Sequence, residues 1–227
     1  MPRPTLRARK QQRARDEIVT AAYELFAERG YADVTVADIA ERAEVGRTTF
    51  FRYFGDKQEV VFADEQEWLD DIGRRQRRLH PDGPPSLPEA LRLLRETTLA
   101  ICAQVTQDAE RYVQRERLIA DNPELGDRAA RKRRRLAETL GEILREQNAS
   151  AQTATLAPHV ALACYNAGHE IAAGDPSALG PHVAAAFDLL GIGSLSPEES
   201  QQNDEGRRTA SRGTAAPAPR GEPEEPV

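Results

Sequence analysis
Apolar positions recur at intervals of three and four in segment after segment of this chain, the spacing of helices packed on one face. From Asp16 to Arg29 the residues Ile18, Ala21, Ala22, Leu25 and Phe26 share such a face, Gly30 stops the helix and Tyr31 packs the exit. A second stripe, Val36, Ile39, Ala40 and Ala43, follows Thr35, an N-cap with Asp38 three residues on in the manner of a capping box. Glu44, Val45 and Gly46 are too few and too turn-prone to continue that helix, yet Val45 is apolar and can pack between its neighbours. A third segment, Arg47 to Phe54, buries Phe50 and Phe54 and leaves Arg47, Thr48, Thr49, Phe51, Arg52 and Tyr53 around the rest. This is helix-turn-helix spacing. Short polar and cationic side chains at a helix N-terminus reach base edges and phosphates in the major groove. An ordinary helical hairpin, with an aromatic core and solvated arginines, is the structural alternative.

Further along, Asp56 and Glu59 open a fourth helix, predicted to run to about Leu79 through Val60, Val61, Trp68, Leu69 and Ile72 before the PDGPP stretch at 81–85 breaks it. Ser86, Pro88 and Glu89 restart a helix with Leu91, Leu94, Thr98 and Cys102 on one side. A shorter helix spans about Ala109 to Ile119, and a long one Pro123 to about Gln147. The basic run Arg128, Arg131, Lys132, Arg133, Arg134 and Arg135 reads as a solvated face, with a second DNA contact as the alternative. Small and apolar residues fill Ala151 to Ala173 and Pro181 to Leu190, the last two helices. About nine helices and no strands follow: an all-α fold.

Composition narrows the function. The chain has 227 residues and a net charge of −6, which argues against a nonspecific DNA coater. Residues 1–15, by contrast, carry six basic side chains and no acid, Arg3, Arg7, Arg9, Lys10, Arg13 and Arg15. Such an arm follows phosphates or a minor groove, or else is a solubilising tail. Beyond about Ser194 lie seven acids, four arginines and few apolar residues, a disordered tail. No apolar run of membrane-spanning length exists and no secretion signal is legible. Cys102 and Cys164 form no CxxC or His/Cys cluster, so no metal site is expected and both read as small core residues, redox sensing being the lesser alternative. No GxSxG, GK[ST] or HExxH motif is present, so neither enzymatic activity nor a cofactor is expected.

The run IVTAAYELFAERGYADVTVADIAERAEVGRTTFFRYFGDKQEVV resembles the N-terminal domain of the TetR family of bacterial transcriptional regulators, and the resemblance covers roughly residues 13–73. It implies a three-helix DNA-binding domain on a larger helical domain that dimerises and binds a small molecule. The organisation expected is a basic disordered arm at 1–12, the DNA-binding domain at 13–73, a regulatory and dimerisation domain at 74–193 and an acidic tail at 194–227. By the same resemblance, Thr35 touches a phosphate, and Arg47, Thr48, Thr49 and Phe51 hold the base-contact positions. Arg52, Tyr53 and Lys57 match positions that hold the DNA backbone. Glu44 departs from the family's frequent turn glycine, and Gly46 from its frequent serine-like cap.

What the resemblance implies further is a homodimer, a palindromic double-stranded DNA operator and a small-molecule effector of unknown identity, in the bacterial cytoplasm with no membrane partner. Leu156, Val160, Cys164, Ala167, Val183, Ala186, Phe187 and Leu190 are the candidate dimer-interface residues, small side chains allowing close helix approach. Trp68, Thr98, Cys102, Tyr112, Tyr165, Asn166 and His169 are the candidate effector-pocket residues; core packing is the plainer role for each. A repressor released by its effector is the leading expectation. An activator of the same fold, or a helical ligand- or partner-binding protein without sequence-specific DNA binding, is the alternative.

Overall fold
The structure, a computed structural model, describes residues 6–63 and 84–193. Among these residues the chain is all-α, with nine helices and no strand. They are α1 (Leu6–Arg29), α2 (Val36–Arg42), α3 (Arg47–Tyr53), α4 (Lys57–Val61), α5 (Leu87–Val105), α6 (Ala109–Asp121), α7 (Pro123–Glu146), α8 (Ala151–Ala172) and α9 (Pro176–Leu189). The expected continuation of the fourth helix to Leu79, its Trp68, most of the PDGPP break and the acidic tail lie outside the described residues.

Two boundaries differ from the pattern. Helix α1 begins at Leu6, so residues 6–12 of the expected disordered arm are helical. No glycine or proline interrupts Leu6–Arg29, its Arg, Ala, Lys, Gln and Glu residues favour helix, and Gln12–Asp16 (3.1 Å) and Arg13–Glu17 (2.9 Å) pair one turn apart. Helix α9 begins at Pro176 rather than Pro181. Asp175 caps it through the Ser177 N–H at 2.8 Å, and proline at the first helical position needs no hydrogen bond. Pro181 is then carried inside the helix.

Two apolar clusters organise the molecule. In the first, Ile18, Ala22, Leu25 and Phe26 of α1 pack on Ile39 of α2, Phe50 of α3 and Val60 of α4, and Leu125 and Ala129 of α7 complete it. The second joins α5 to α9 through Leu94, Cys102, Tyr112, Leu144, Ala157, Cys164, Val183 and Phe187. The small residues of α8 serve contacts inside the chain: a Cβ on Gly168 would stand 2.5 Å from the Val183 backbone N of α9. Ala154 of α8 likewise meets Gly141 of α7, where an added Cβ would lie 2.6 Å from the Ala154 carbonyl oxygen.

This packing corrects part of the expected dimer surface. Cys164, Val183 and Phe187 are buried within the chain's own core and so unavailable to a partner. Val160 and Ala186 are half-buried, while Leu156, Ala167 and Leu190 face outward. Ile171 and Leu189, absent from the expected set, are 63% and 87% exposed, the two most exposed large apolar side chains among the described residues.

Candidate nucleic-acid interface
The turn between α2 and α3 shows how local chemistry aims a helix. Thr35 caps α2: its hydroxyl oxygen accepts from the Asp38 N–H at 3.2 Å, and its own N–H donates to the Asp38 carboxylate at 2.8 Å. The Thr35 hydroxyl and backbone N–H bonds hold the Asp38 carboxyl below its ordinary value. At the other end, the Val45 N–H donates to Ala40 O (2.9 Å) and the Glu44 N–H to Glu41 O (3.0 Å), the Schellman closure of a helix C-terminus. That closure needs a left-handed residue, and it falls on Glu44 at φ +53°. A glycine would adopt this conformation without strain. The turn ends at Gly46, whose carbonyl accepts the first α3 hydrogen bonds, from Thr49 at 2.8 Å and Phe50 at 3.1 Å.

Helix α3 is thereby fixed by its aromatic side. Phe50 is fully buried and stacks obliquely on buried Phe54, ring centroids 5.8 Å apart. The opposite side presents Arg47, Thr48, Phe51 and Arg52 to solvent, with Thr49 and Tyr53 half-buried beside them. Phe51 is 55% exposed although it is aromatic. Arg52 lies over the Tyr53 ring at 5.1 Å. Neither Arg47 nor Arg52 pairs with a carboxylate among the described residues, so both guanidinium groups keep free donors. Arg42, by contrast, turns back to Glu28 (2.8 Å) and Glu24 (3.3 Å) and ties α2 to α1. Glu44 is exposed and has no arginine partner among the described residues.

Lys57 is a correction. Expected on a phosphate, its ammonium instead donates to the carbonyl oxygens of Tyr31 (2.8 Å), Val34 (2.9 Å) and Ala32 (3.3 Å). Those three bonds use all three ammonium protons, and the charge sits 4.3 Å from the Tyr31 ring centroid. It bolts the α1–α2 connection to the start of α4. In the basic run of α7, Arg131, Arg134 and Arg135 are exposed, as a solvated face requires, but two residues depart from that reading: Arg128 donates to Asp56 at 2.9 Å, to Gln58 at 2.7 Å and to Glu59, and Lys132 reaches Glu59 at 3.1 Å. Burial raises the Glu59 pKa, but the hydrogen bonds from Arg128 and Lys132 outweigh it and hold the carboxyl below its ordinary value. This ionic clamp joins α7 to α4, beside Leu125 and Ala129 in the first core. Its sequence signal is the match of Asp56 and Glu59, three apart, to Arg128 and Lys132, four apart.

Trp68 lies outside the described residues, and most of the other expected effector residues are engaged within the chain's own fold. The Thr98 hydroxyl donates to Leu94 O at 2.7 Å within its own helix, and Cys102 is buried, its thiol pushed up to about 12 by desolvation. Tyr112 is buried, Tyr165 stacks on His169 with ring centroids 5.7 Å apart, and Asn166 faces solvent. His169 and Arg115 converge on Glu116, with His169 Nε2 at 2.8 Å and an Arg115 guanidinium nitrogen at 3.0 Å. Burial works against the Glu116 charge, yet these two partners hold its carboxyl below the ordinary range. A cleft of about 330 Å³ opens nearby, lined by Tyr23, Tyr112, Arg111, Arg115 and the polar end of α5. Of its lining, only Tyr112 was legible in the sequence. Arg111 and Arg115, four apart on one helix face, were the missed signal. No three His, Cys, Asp or Glu side chains among the described residues converge as metal ligands. No helix among them is long and apolar enough to cross a membrane.

A short capped helix, a Schellman turn and a second helix with free arginines are the geometry of a helix-turn-helix, and residues 18–63 match the family model of bacterial regulatory proteins, tetR family. Over these residues the chain is similar to the TetR family of regulators. The chain is 51% identical over 58 residues to the HTH-type transcriptional regulator TcmR of Streptomyces glaucescens, covering 26% of each protein. It is 39% identical over 92 residues to the HTH-type transcriptional repressor Rv3405c of Mycobacterium tuberculosis, covering 38% of this chain and 47% of that one. The chain thus matches about a quarter to a half of the length of these curated relatives. Among solved structures, that of the SmeT–triclosan complex superposes with a TM-score of 0.52 over 78% of this chain and 88% of its own, at 19% identity, a likeness of fold.

Proposed function
We propose that this chain is a TetR-family transcriptional repressor that binds a palindromic operator as a homodimer and is released by a small-molecule effector. The observation that carries it is the outward face of α3, where Arg47, Thr48, Phe51 and Arg52 are exposed while Phe50 and Phe54 anchor the helix from behind. Arg47 and Thr48 stand in the first turn of α3, which enters the major groove and reads bases. Arg52 and Tyr53 hold phosphates on one flank, and Thr35 at the start of α2 holds them on the other. One recognition helix reads a half-site, so a two-fold dimer reads a palindrome.

Leu156, Ala167 and Ile171 of α8, with Leu189 of α9 and Leu190 at its C-cap, supply the dimer surface. They are apolar, exposed and unpartnered by their own chain, and side chains of that kind gain by burial against a second copy. The repressor reading is supported by the name of the relative Rv3405c, and effector binding by the triclosan complex of a protein of like fold. The protein acts in the bacterial cytoplasm.

The test is binding of the purified protein to DNA from around its own gene across a range of salt, with footprinting of the shifted band. A palindromic footprint whose affinity falls steeply with salt supports the reading. Binding that is weak, unprotected and indifferent to sequence overturns it.

A further inference from the structure
The 330 Å³ cleft lies where α1 of the DNA-binding helices meets the end of α5 and the first half of α6. Tyr23 of α1 forms one wall, and the Arg111 guanidinium lies over its ring at 4.7 Å. The Tyr23 hydroxyl donates to Val61 O of α4 at 3.3 Å, so this wall is tied to the helix that follows α3. Tyr112 and Arg115 form the floor, with the Arg115 guanidinium 5.8 Å from the Tyr112 ring centroid. Gln104 and Gln107, both exposed, stand at the rim.

Two polar atoms of the floor are buried without a hydrogen-bond partner, the Tyr112 hydroxyl and the Arg115 Nε. Buried donors left unmatched are costly, and in native folds they mark a place where another group belongs. Arg115 donates to Glu116 through Nη2, the nitrogen beside Nε on the guanidinium edge, and its Nε–H is left without a partner. That Nε–H is a free cationic donor, able to make a charge-assisted hydrogen bond to a carboxylate oxygen. The carboxylates nearby are already engaged: Asp108 caps α6, accepting the Arg111 N–H at 3.0 Å and standing 3.9 Å from the Arg111 Nε, and Glu116 is shared between Arg115 and His169. Two cations and two aromatic rings therefore face a cavity at the lower end of the range for small-molecule sites. Burial pushes the Tyr112 phenol further above its ordinary value, so at neutral pH it is a donor, as any tyrosine is.

We propose that this cleft is a binding site for a small aromatic acid, whose carboxylate docks on the Arg115 Nε–H and the Tyr112 hydroxyl, and whose ring packs on the wall made by Tyr23 and Arg111. The ligand touches α1 and α6 together, so its binding biases how the DNA-binding helices sit on the rest of the chain. In this second consequence, release from DNA, the inference rests on the effector-released repressor reading; the binding itself does not.

The experiment is calorimetric titration of the full chain with 1-naphthoate and, as the uncharged match, 1-naphthamide. The acid is expected to bind about tenfold more tightly than the amide, the difference a charge-assisted hydrogen bond supplies. Arg115→Gln is expected to remove that preference, with circular dichroism confirming its fold. Arg111→Gln, which leaves the Arg115–Glu116 pair intact, is expected to weaken the acid by about threefold through the lost stacking wall. No binding of the acid at millimolar concentration, or equal binding of acid and amide, overturns the site while leaving any operator footprint untouched. Conversely, naphthoate binding that depends on both arginines in a protein that gives no footprint supports the cleft and removes the repressor reading.

Discussion

Arg47 and Arg52 on α3 carry the same charge as Arg128 and Lys132 on α7, but the two pairs live in opposite surroundings. The α3 arginines point outward with no carboxylate among the described residues to meet them, on a helix anchored by Phe50 and Phe54. On α7 the cations point inward to Asp56 and Glu59 and hold one helix against another. A cation whose donors are already spent stabilises the fold; one whose donors are free is available to a phosphate or a base edge. Counting positive charges along the chain would have favoured the α7 run as the DNA contact. Hydrogen-bond accounting reverses the ranking, and it also moves Lys57 from the DNA face to the interior of the domain.

The largest effect that tests this contrast is on DNA. Arg47→Ala with Arg52→Ala is expected to weaken operator binding by on the order of 100-fold, given about 1–3 kcal/mol per base contact and the loss of a phosphate contact. The melting temperature of the same variant should change little, since neither side chain pairs with a carboxylate and only the exposed Arg52–Tyr53 contact is lost. Retained operator affinity in a mobility-shift titration would move the DNA face elsewhere.

The reverse pattern belongs to α7. Arg128→Ala leaves Asp56 and Glu59 without their shared cation and is expected to cost about 1–2 kcal/mol, discounted because Asp56 is half exposed. That is a fall of roughly 2–8 °C in melting temperature for a protein of this size. An unchanged melting curve would show that the clamp is only solvated surface.

A smaller effect separates the clamp by pH. The Glu59 carboxyl is held below its ordinary 4.5 in the folded chain. A depressed carboxylate contributes stability that is present above its unfolded value and is lost as pH falls through the folded one. Glu59→Gln should therefore flatten the acid side of the stability profile below about pH 4.5. A profile of unchanged slope there would mean that another carboxylate carries the acid dependence.

The smallest change concerns the turn. Glu44→Gly relieves a left-handed glutamate and should stabilise the protein by about 1 kcal/mol, read as a rise in melting temperature. It also removes an acid from the approach to α3, so operator affinity should rise slightly. A fall in melting temperature would show that the side chain, rather than the backbone, sets the energy of this turn.

Much of the arrangement of α1 to α3 was legible along the chain because its determinants are local. Ile18, Ala22, Leu25 and Phe26 sit at helical spacing, Thr35 and Asp38 are three residues apart, and Gly30 ends α1 at φ +81°. Caps and amphipathic faces need only residues within a turn or two of each other, and the family resemblance rests on the same stretch. The start of α1 was misjudged because a basic, uncapped segment reads as an arm, although its helix propensity is high.

The candidate sites beyond α4 depended on residues far apart in sequence. Arg128 finds Glu59 across 69 residues and His169 finds Glu116 across 53. Small residues in α8 promised close helix contact, but nothing in their spacing said whether the neighbour would be a second copy or α9 of the same chain. Gly168 against Val183 settles it for that face, while Leu156, Ala167 and Ile171 remain outside.

By itself, then, the sequence determined the helices, their caps and the residues that aim α3 outward, because hydrogen-bonded turns and apolar periodicity act over three or four residues. Only the tertiary structure decided which arginines are spent, which small residues are already covered and where a cleft opens between α1 and α6. Ion pairing and exclusion of water depend on which surfaces meet, and side chains more than fifty residues apart meet only once the chain has folded.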